Sequence, residues 1–424
     1  MTRMLFARGL VFDGTGGAPS EADIVIEDGR ILDVGVGLDG DTMIDCSGHS
    51  VIPGLFDCHT HVLLSGVDFW HLLETPFSLR FYEAARNLER TLQLGITSVR
   101  DAGGADLGVK EAVRQGFIPG PRLRIAINMI SQTGGHADGW MASGQCVTTL
   151  FPVHPGSPAA IVDGPDEMRK VARQLLRAGA DVLKVATSGG VLSPRDDPRH
   201  AHFRQEELDV LVAEAQAAGV HVMAHAQAED GIKTALRAGI RSVEHGIFLD
   251  DEAVELLLAR DAWLVPTLAA PLSVVEALEA GASLPEGIRE KLEHVVAAHA
   301  DSFTRAVDAG VQIAMGSDSG IVPHGSNLRE LELMVKYGMR RQDALKAATS
   351  SAARLLGVSD HLGTLEPGKV ADLVVVNGDP LDFTTLPHRI EAVYQDGSLV
   401  AGAVKNGEIS LNGWEAAGHA RVGR

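Results

Sequence analysis

Between residues 54 and 366 the chain alternates short β-branched runs with amphipathic helical stretches, and that rhythm limits its fold more than any other feature. The stretches VIPGLFDCHTHV, ITSVRDAG, RLRIAINMIS, DVLKVAT, HVMAHA, SVEHGI, WLVPTL and VQIAMGSDSG read as eight strands. Helical stretches such as PDEMRKVARQLLRAG and RQEELDVLVAEAQAAG separate most of them, and several end in Ala-Gly just before the next strand, a glycine stop signal. Strands joined by crossover helices pair in parallel. Eight of them imply an α/β chain whose residues 54–366 form a (β/α)8 TIM barrel.

The two ends read as β. ADIVIEDGRILDVG alternates apolar and polar residues around Asp28-Gly29, a hairpin signal. VADLVVVNGDP reads as strand and turn, and IEAVYQDGSLVAGAVKNGEIS gives three short strands parted by Asp396-Gly397 and Asn406-Gly407. Neither end alone is large enough for a good core. Residues 1–53 and 367–424 are therefore expected to join as one small discontinuous β-sandwich domain.

Charge and cysteine usage narrow the function classes. The 424 residues carry 37 basic and 56 acidic side chains, a net −19, which argues against the basic patches of non-specific nucleic-acid binding. Cys46, Cys58 and Cys146 are scattered with no CxxC pair, so a reducing, cytoplasmic setting is expected. The start MTRMLFARGLVFDGTGG is not read as a signal peptide, because Arg8 and Asp13 interrupt any apolar core. The uncharged run from Gly144 to Val162 holds Pro152, Pro155 and Pro158 and reads as a loop, not a membrane span. The expected partner is a small-molecule substrate, with neither nucleic acid nor membrane.

In GLFDCHTHVLL, period-two alternation puts Asp57, His59 and His61 on one face of an apolar strand. In a barrel, polar residues at strand ends meet at one mouth. Lys184 sits in DVLKVATSGG, His225 ends HVMAHA, His245 ends SVEHGI, and Asp318 follows in MGSDSG. Taken singly, each has an ordinary explanation: a hydrogen-bonded histidine, a lysine reaching for solvent, a turn aspartate. Six together at one rim are hard to neutralise without metal. Imidazole and oxygen donors suit a borderline divalent ion, zinc first, with manganese, cobalt or iron allowed. His154, His294, His299, His361 and His419 read as surface or loop residues.

PGLFDCHTH, LKVATSGG, MAHAQ, VEHG and GSDSG, with VIPG before them and GTLEPGKVADLVVV after, resemble the amidohydrolase superfamily of metal-dependent hydrolases. TGGHADG and TSGGVLSPRDDPRHAHF point to its imidazolonepropionase-related, Xaa-Pro dipeptidase-like branch. The resemblance implies two divalent ions: His59, His61 and Asp318 on the first, His225 and His245 on the second, and N-carboxylated Lys184 bridging both. It implies hydrolysis of an amide-type C–N bond by a hydroxide held between the metals, with Asp318 as proton shuttle. His136 would face the substrate, hydrogen-bonding its carbonyl oxygen or a carboxylate. Homo-oligomers are implied by the same resemblance.

The loop from Ser188 to Phe203 is expected to border the pocket, offering Arg195, His200 and His202 as specificity residues or as solvated loop groups. Many dipeptidase-like relatives have a tyrosine two residues after the fifth-strand histidine. This chain has Gln227. That departure weakens a dipeptidase assignment and leaves Xaa-Pro-like dipeptides and N-acyl amino acids level with neutral amides, anilides, carbamates and ureas. A mononuclear deaminase or cyclic-amidine hydrolase is a rival that Lys184 argues against. A metal-free structural homologue is a further rival, opposed by the presence of all six ligand residues.

Overall fold

The computed structural model describes residues 2–146, 152–193, 196–284, 286–402, 404–405 and 408–409. The chain divides into two compact units, one of Met1–Phe56, Arg90–Thr97 and Arg340–Arg424, the other of Asp57–Glu89 and Ser98–Met339.

In the first unit the chain ends interleave in one eight-stranded sheet. Its order is Ser398–Gly402, Ile390–Gln395, Leu373–Asn377, His49–Pro53, Met4–Val11, Ser20–Glu27 and Arg30–Gly35, with Thr42–Asp45 also on Met4–Val11. The seam is the antiparallel pair Val375↔Val51 and its neighbours. Two tight hairpins follow from their turn residues: Asp28 and Gly29 have φ of 50° and 74°, Asp396 and Gly397 φ of 50° and 71°, the double positive φ of a type I′ turn. Phe6, Ile24, Ile31, Val51, Leu373 and Tyr394 form the buried face of this sheet. The Phe6 and Tyr394 rings meet edge to face at 5.0 Å. Val404–Lys405 pairs antiparallel with Glu408–Ile409; Asn406 and Gly407, expected to turn there, lie outside the described residues.

Parallel strands in sequence order, all or most of each in the second unit, follow. One run is Leu55–Thr60, Ile96–Asp101, Arg122–Ile125; the other is Met129–Ile130, Val182–Ala186, His221–Ala226, Ser242–His245, Trp263–Val265, Gln312–Ile313. Two expected strands are broken. RLRIAINMIS splits at Ile127, whose φ of 70° turns the chain between Ile125 and Met129. VIPGLFDCHTHV splits at Pro53-Gly54: the part up to Pro53 joins the first unit's sheet. A Cβ at Gly54 would lie 2.3 Å from Thr97 Oγ1, so only glycine fits there. Backbone bonds also run from the first strand to the last: Cys58 N–H to Met315 O at 2.9 Å, and Asp318 N–H to His59 O at 2.8 Å.

The helices obey their sequence signals. Pro165–Arg177 starts with proline in its first turn, carries Asp166 and Glu167 there, and buries Met168, Val171, Ala172 and Leu175, one 3.6-period stripe. Glu229–Ala238 ends at Gly239 in the left-handed conformation, φ 91°. Among the described residues no helix is long and apolar enough to cross a membrane.

Candidate metal centre

His59 lies in the Leu55–Thr60 strand and His61 one residue past it; Lys184, His225 and His245 lie in three successive strands, and Asp318 follows the Gln312–Ile313 strand. The structure brings all six together, and each is at most 7% exposed. His59 Nε2 and His61 Nε2 stand 3.6 and 3.4 Å from Asp318 Oδ1. Ligand atoms of His59, His245 and Asp318 lie within 4.8 Å of one another. The ring centroids of His225 and His245 are 4.6 Å apart, those of His59 and His245 5.1 Å. His245 and Asp318 hold left-handed backbone, φ 72° and 58°, a conformation non-glycine residues keep only when their surroundings fix it.

Each imidazole has one ring nitrogen held by a hydrogen bond. His59 Nδ1–H donates to Glu244 Oε2 at 2.7 Å, His61 Nδ1–H to Gly103 O at 2.8 Å, and His245 Nδ1–H to Thr267 Oγ1 at 2.7 Å. His225 is reversed: Nε2–H donates to Gly189 O at 3.0 Å, so Nδ1 is its donor atom. Such outer bonds fix tautomer and orientation in histidine metal sites. Burial, reinforced by positive neighbours, holds all four imidazoles well below their usual range and so neutral.

The donor set fits divalent metal on two further counts. Asp318 Oδ1 is buried with no hydrogen-bond partner, a costly arrangement that a cation would relieve. The Lys184 side chain is 1% exposed and has no hydrogen-bond acceptor among the described residues. Burial pushes its ammonium down, against the pull of Glu244 and Asp318, and pushes the Asp318 carboxyl up. Asp57, although on the same strand face as His59 and His61, is engaged elsewhere: Ser317 Oγ donates to it at 2.5 Å and Asn327 Nδ2 at 2.9 Å.

Sequence reasoning passed over the supporting groups. Glu244 is fully buried and takes both oxygens' bonds from Arg100 Nη2, at 2.9 and 3.0 Å, while holding His59. Opposite charges inside two apolar strands, SVEHGI and ITSVRDAG, were the available signal. His299, expected at the surface, is 2% exposed; its Nε2–H donates to His245 O and Pro266 O at 3.0 and 2.8 Å. It shares a helical stripe with buried Leu292, Val295, Phe303 and Ala306, which its spacing could have revealed.

Above the centre opens a cavity. His136, Gln227 and His299 line it with the cluster, and Val191, Leu192, Ile247, Val274, Val295 and Ile321 make one wall apolar. Gln227 Oε1 is buried without a partner. His202 is buried, not solvated, and does not line the cavity; His200 is exposed; Arg195 lies outside the described residues.

Neutral imidazoles, an unpartnered carboxylate oxygen and a buried lysine gathered on parallel strands make a candidate metal site. The chain belongs to the amidohydrolase family, whose model matches residues 50–409, and it is an enzyme, an amidohydrolase. That membership implies the TIM-barrel fold. It is 33% identical to the ochratoxinase of Aspergillus niger over 419 residues, covering 93% of this chain and 86% of the relative. A crystal structure of an Xaa-Pro dipeptidase with methionine bound in its active site matches with a TM-score of 0.85 at 33% identity, over 94% of this chain and 99% of that one. A prolidase complexed with N-methylphosphonate-L-proline matches with a TM-score of 0.85 at 32% identity, over 95% and 100%.

Proposed function

We propose that the protein hydrolyses the amide-type C–N bond of small substrates that are dipeptides or N-acyl amino acids carrying an apolar side chain. The observation that carries this reading is the convergence of four neutral imidazoles with buried Lys184 and the unpartnered Asp318 Oδ1 beneath an apolar-walled cavity. The Xaa-Pro dipeptidase with bound methionine and the prolidase complexed with N-methylphosphonate-L-proline, at 33% and 32% identity, favour amino-acid-like substrates over simple neutral amides.

In this reading His59, His61 and Asp318 hold one divalent ion, and His225 and His245 a second. Lys184, as an N-carboxylated lysine, replaces a buried cation with an anion offering two oxygens. Zinc is the first choice on donor type, with manganese, cobalt or iron as the alternatives. When bound, the ions supply Lewis acidity towards water and the substrate carbonyl. Asp318 receives the proton of the attacking water on its carboxylate and returns it to the leaving nitrogen. His136 and Gln227 contact substrate polar groups from the cavity wall. The apolar side, with Val274 and Val295, takes the substrate's side chain and excludes water from it. The parallel strands are read as one closed (β/α)8 barrel, and the sheet of the two termini as part of a β-sandwich domain.

The test is a hydrolysis screen of metal-loaded protein against Xaa-Pro and other dipeptides, N-acyl amino acids, anilides, carbamates and phenylureas. Turnover concentrated in the amino-acid-derived compounds is the expected result. Turnover confined to ureas or carbamates would overturn the substrate class.

A further inference from the structure

The ring of His136 sits in a slot that only glycine leaves open. One face stacks on His225, centroids 4.1 Å apart and planes 19° from parallel. The other lies against Gly190, where an added Cβ would stand 2.2 Å from His136 Cε1. The edge is held as well: Nδ1 is 2.9 Å from Ser193 Oγ and 3.3 Å from Asp196 Oδ2.

Asp196 is itself anchored. Its side chain is 2% exposed, and it accepts from Gly190 N–H at 3.0 Å, from Lys291 Nζ at 3.2 Å and from Ser193 Oγ. Lys291 comes from a different element, the Ile288–Asp308 helix, and also donates to Gly190 O and Ser193 O at 3.1 and 2.7 Å. Burial alone would raise the Asp196 carboxyl, but hydrogen bonds from His136 and Ser193 and the Lys291 ammonium hold it down, at about 2. An ionised carboxylate can only accept, so His136 must carry a proton on Nδ1. No partner for its Nε2 exists among the described residues, and the ring lines the cavity.

We propose that Asp196, backed by Lys291, is a positioning residue that fixes the His136 proton on Nδ1 and so presents Nε2 as the nitrogen that meets the substrate. The kinetic part rests on the hydrolase reading above; the orientation of the ring does not.

The test uses the full-length protein, ¹⁵N-labelled at histidine, with Asp196→Asn and Gly190→Ala as independent variants that attack the slot from its edge and from its face. The wild type should show a downfield hydrogen-bonded Nδ1–H, assigned by its loss in His136→Ala, and both variants should lose it. With Met-Pro and N-acetyl-L-methionine as probes, Asp196→Asn should lower kcat/KM by about 10- to 100-fold at unchanged metal content, as orienting groups typically do. In a His136→Ala background the same change should alter kcat/KM by no more than about twofold. An Nδ1–H signal untouched by Asp196→Asn, or an equal kinetic loss with and without His136, would overturn the proposal. The NMR result decides it even if neither probe is turned over, which would count only against the substrate class.

Discussion

The Thr267 hydroxyl stands 2.7 Å from His245 Nδ1 and 2.7 Å from the carbonyl of Pro266, and the second contact fixes the first. A hydroxyl has one proton. Given to Pro266 O, it leaves Thr267 Oγ1 an acceptor, so His245 must donate from Nδ1 and keep its lone pair on Nε2. Thr267 does this from a φ of 53°, strained for a β-branched residue. Thr267→Val should weaken metal affinity by about 10- to 100-fold while leaving the fold intact. Competition with a fluorescent chelator checks this, and excess metal should restore most activity.

The Arg100–Glu244 pair lies wholly inside the second unit, with Glu244 fully buried and Arg100 3% exposed. Removing one partner strands the other charge. Glu244→Gln should destabilise by about 3–5 kcal/mol in denaturant unfolding, the usual penalty for breaking a buried pair. It should also weaken metal binding, because a neutral amide oxygen holds His59 Nδ1–H less strongly than the carboxylate does.

Gly320 has a φ of 119°, and a Cβ there would stand 2.7 Å from His61 O and 2.8 Å from His61 Cβ. Gly320→Ala should displace His61. The expected result is partial loss of bound metal, measured by elemental analysis, with a destabilisation of about 1–3 kcal/mol from the strained backbone.

The apolar wall predicts side-chain selectivity. One methylene in such a pocket is worth about 10- to 200-fold in kcat/KM. Leucine-containing substrates should therefore exceed their glycine counterparts by at least one such step, and Val274→Asn should narrow the gap while leaving the glycine compound little changed. Equal rates for the two in the wild type would remove the side-chain role of this wall.

Glu330 supplies a pH dependence, set first by burial and raised further by the charges of Asp57 and Asp318. It is fully buried and accepts from Leu268 and Ala269 N–H at 2.8 and 2.9 Å. Burial nonetheless pushes its carboxyl up from 4.5 to about 8. The folded protein thus binds a proton that the unfolded chain releases, so this contribution to stability is complete below pH 4.5 and lost as pH rises to about 8. Denaturant titrations at pH 5, 6.5 and 8 should show the stability of Glu330→Gln gaining on the wild type as pH rises.

What the sequence made legible was periodic or local. The Asp28-Gly29 and Asp396-Gly397 turns, the glycine stops and the strand-end positions of the candidate donors follow from spacing alone. What it hid depends on contacts between distant segments. Nothing local marks Thr267 as the partner of His245, or joins Asp196 to His136 across 60 positions. His299 is buried against the expectation from its polarity, because its place on an apolar helical stripe decides. The break at Ile127 has no local mark, because an isoleucine at positive φ is set by tertiary packing, against its own preference.

The most direct check is the number of metal ions held per chain after reconstitution with zinc and bicarbonate and removal of excess, in the wild type and in Lys184→Met. The account predicts about two in the wild type, with a marked loss in the variant. A wild type that retains no zinc, or a Lys184→Met protein that retains the full complement, would contradict it.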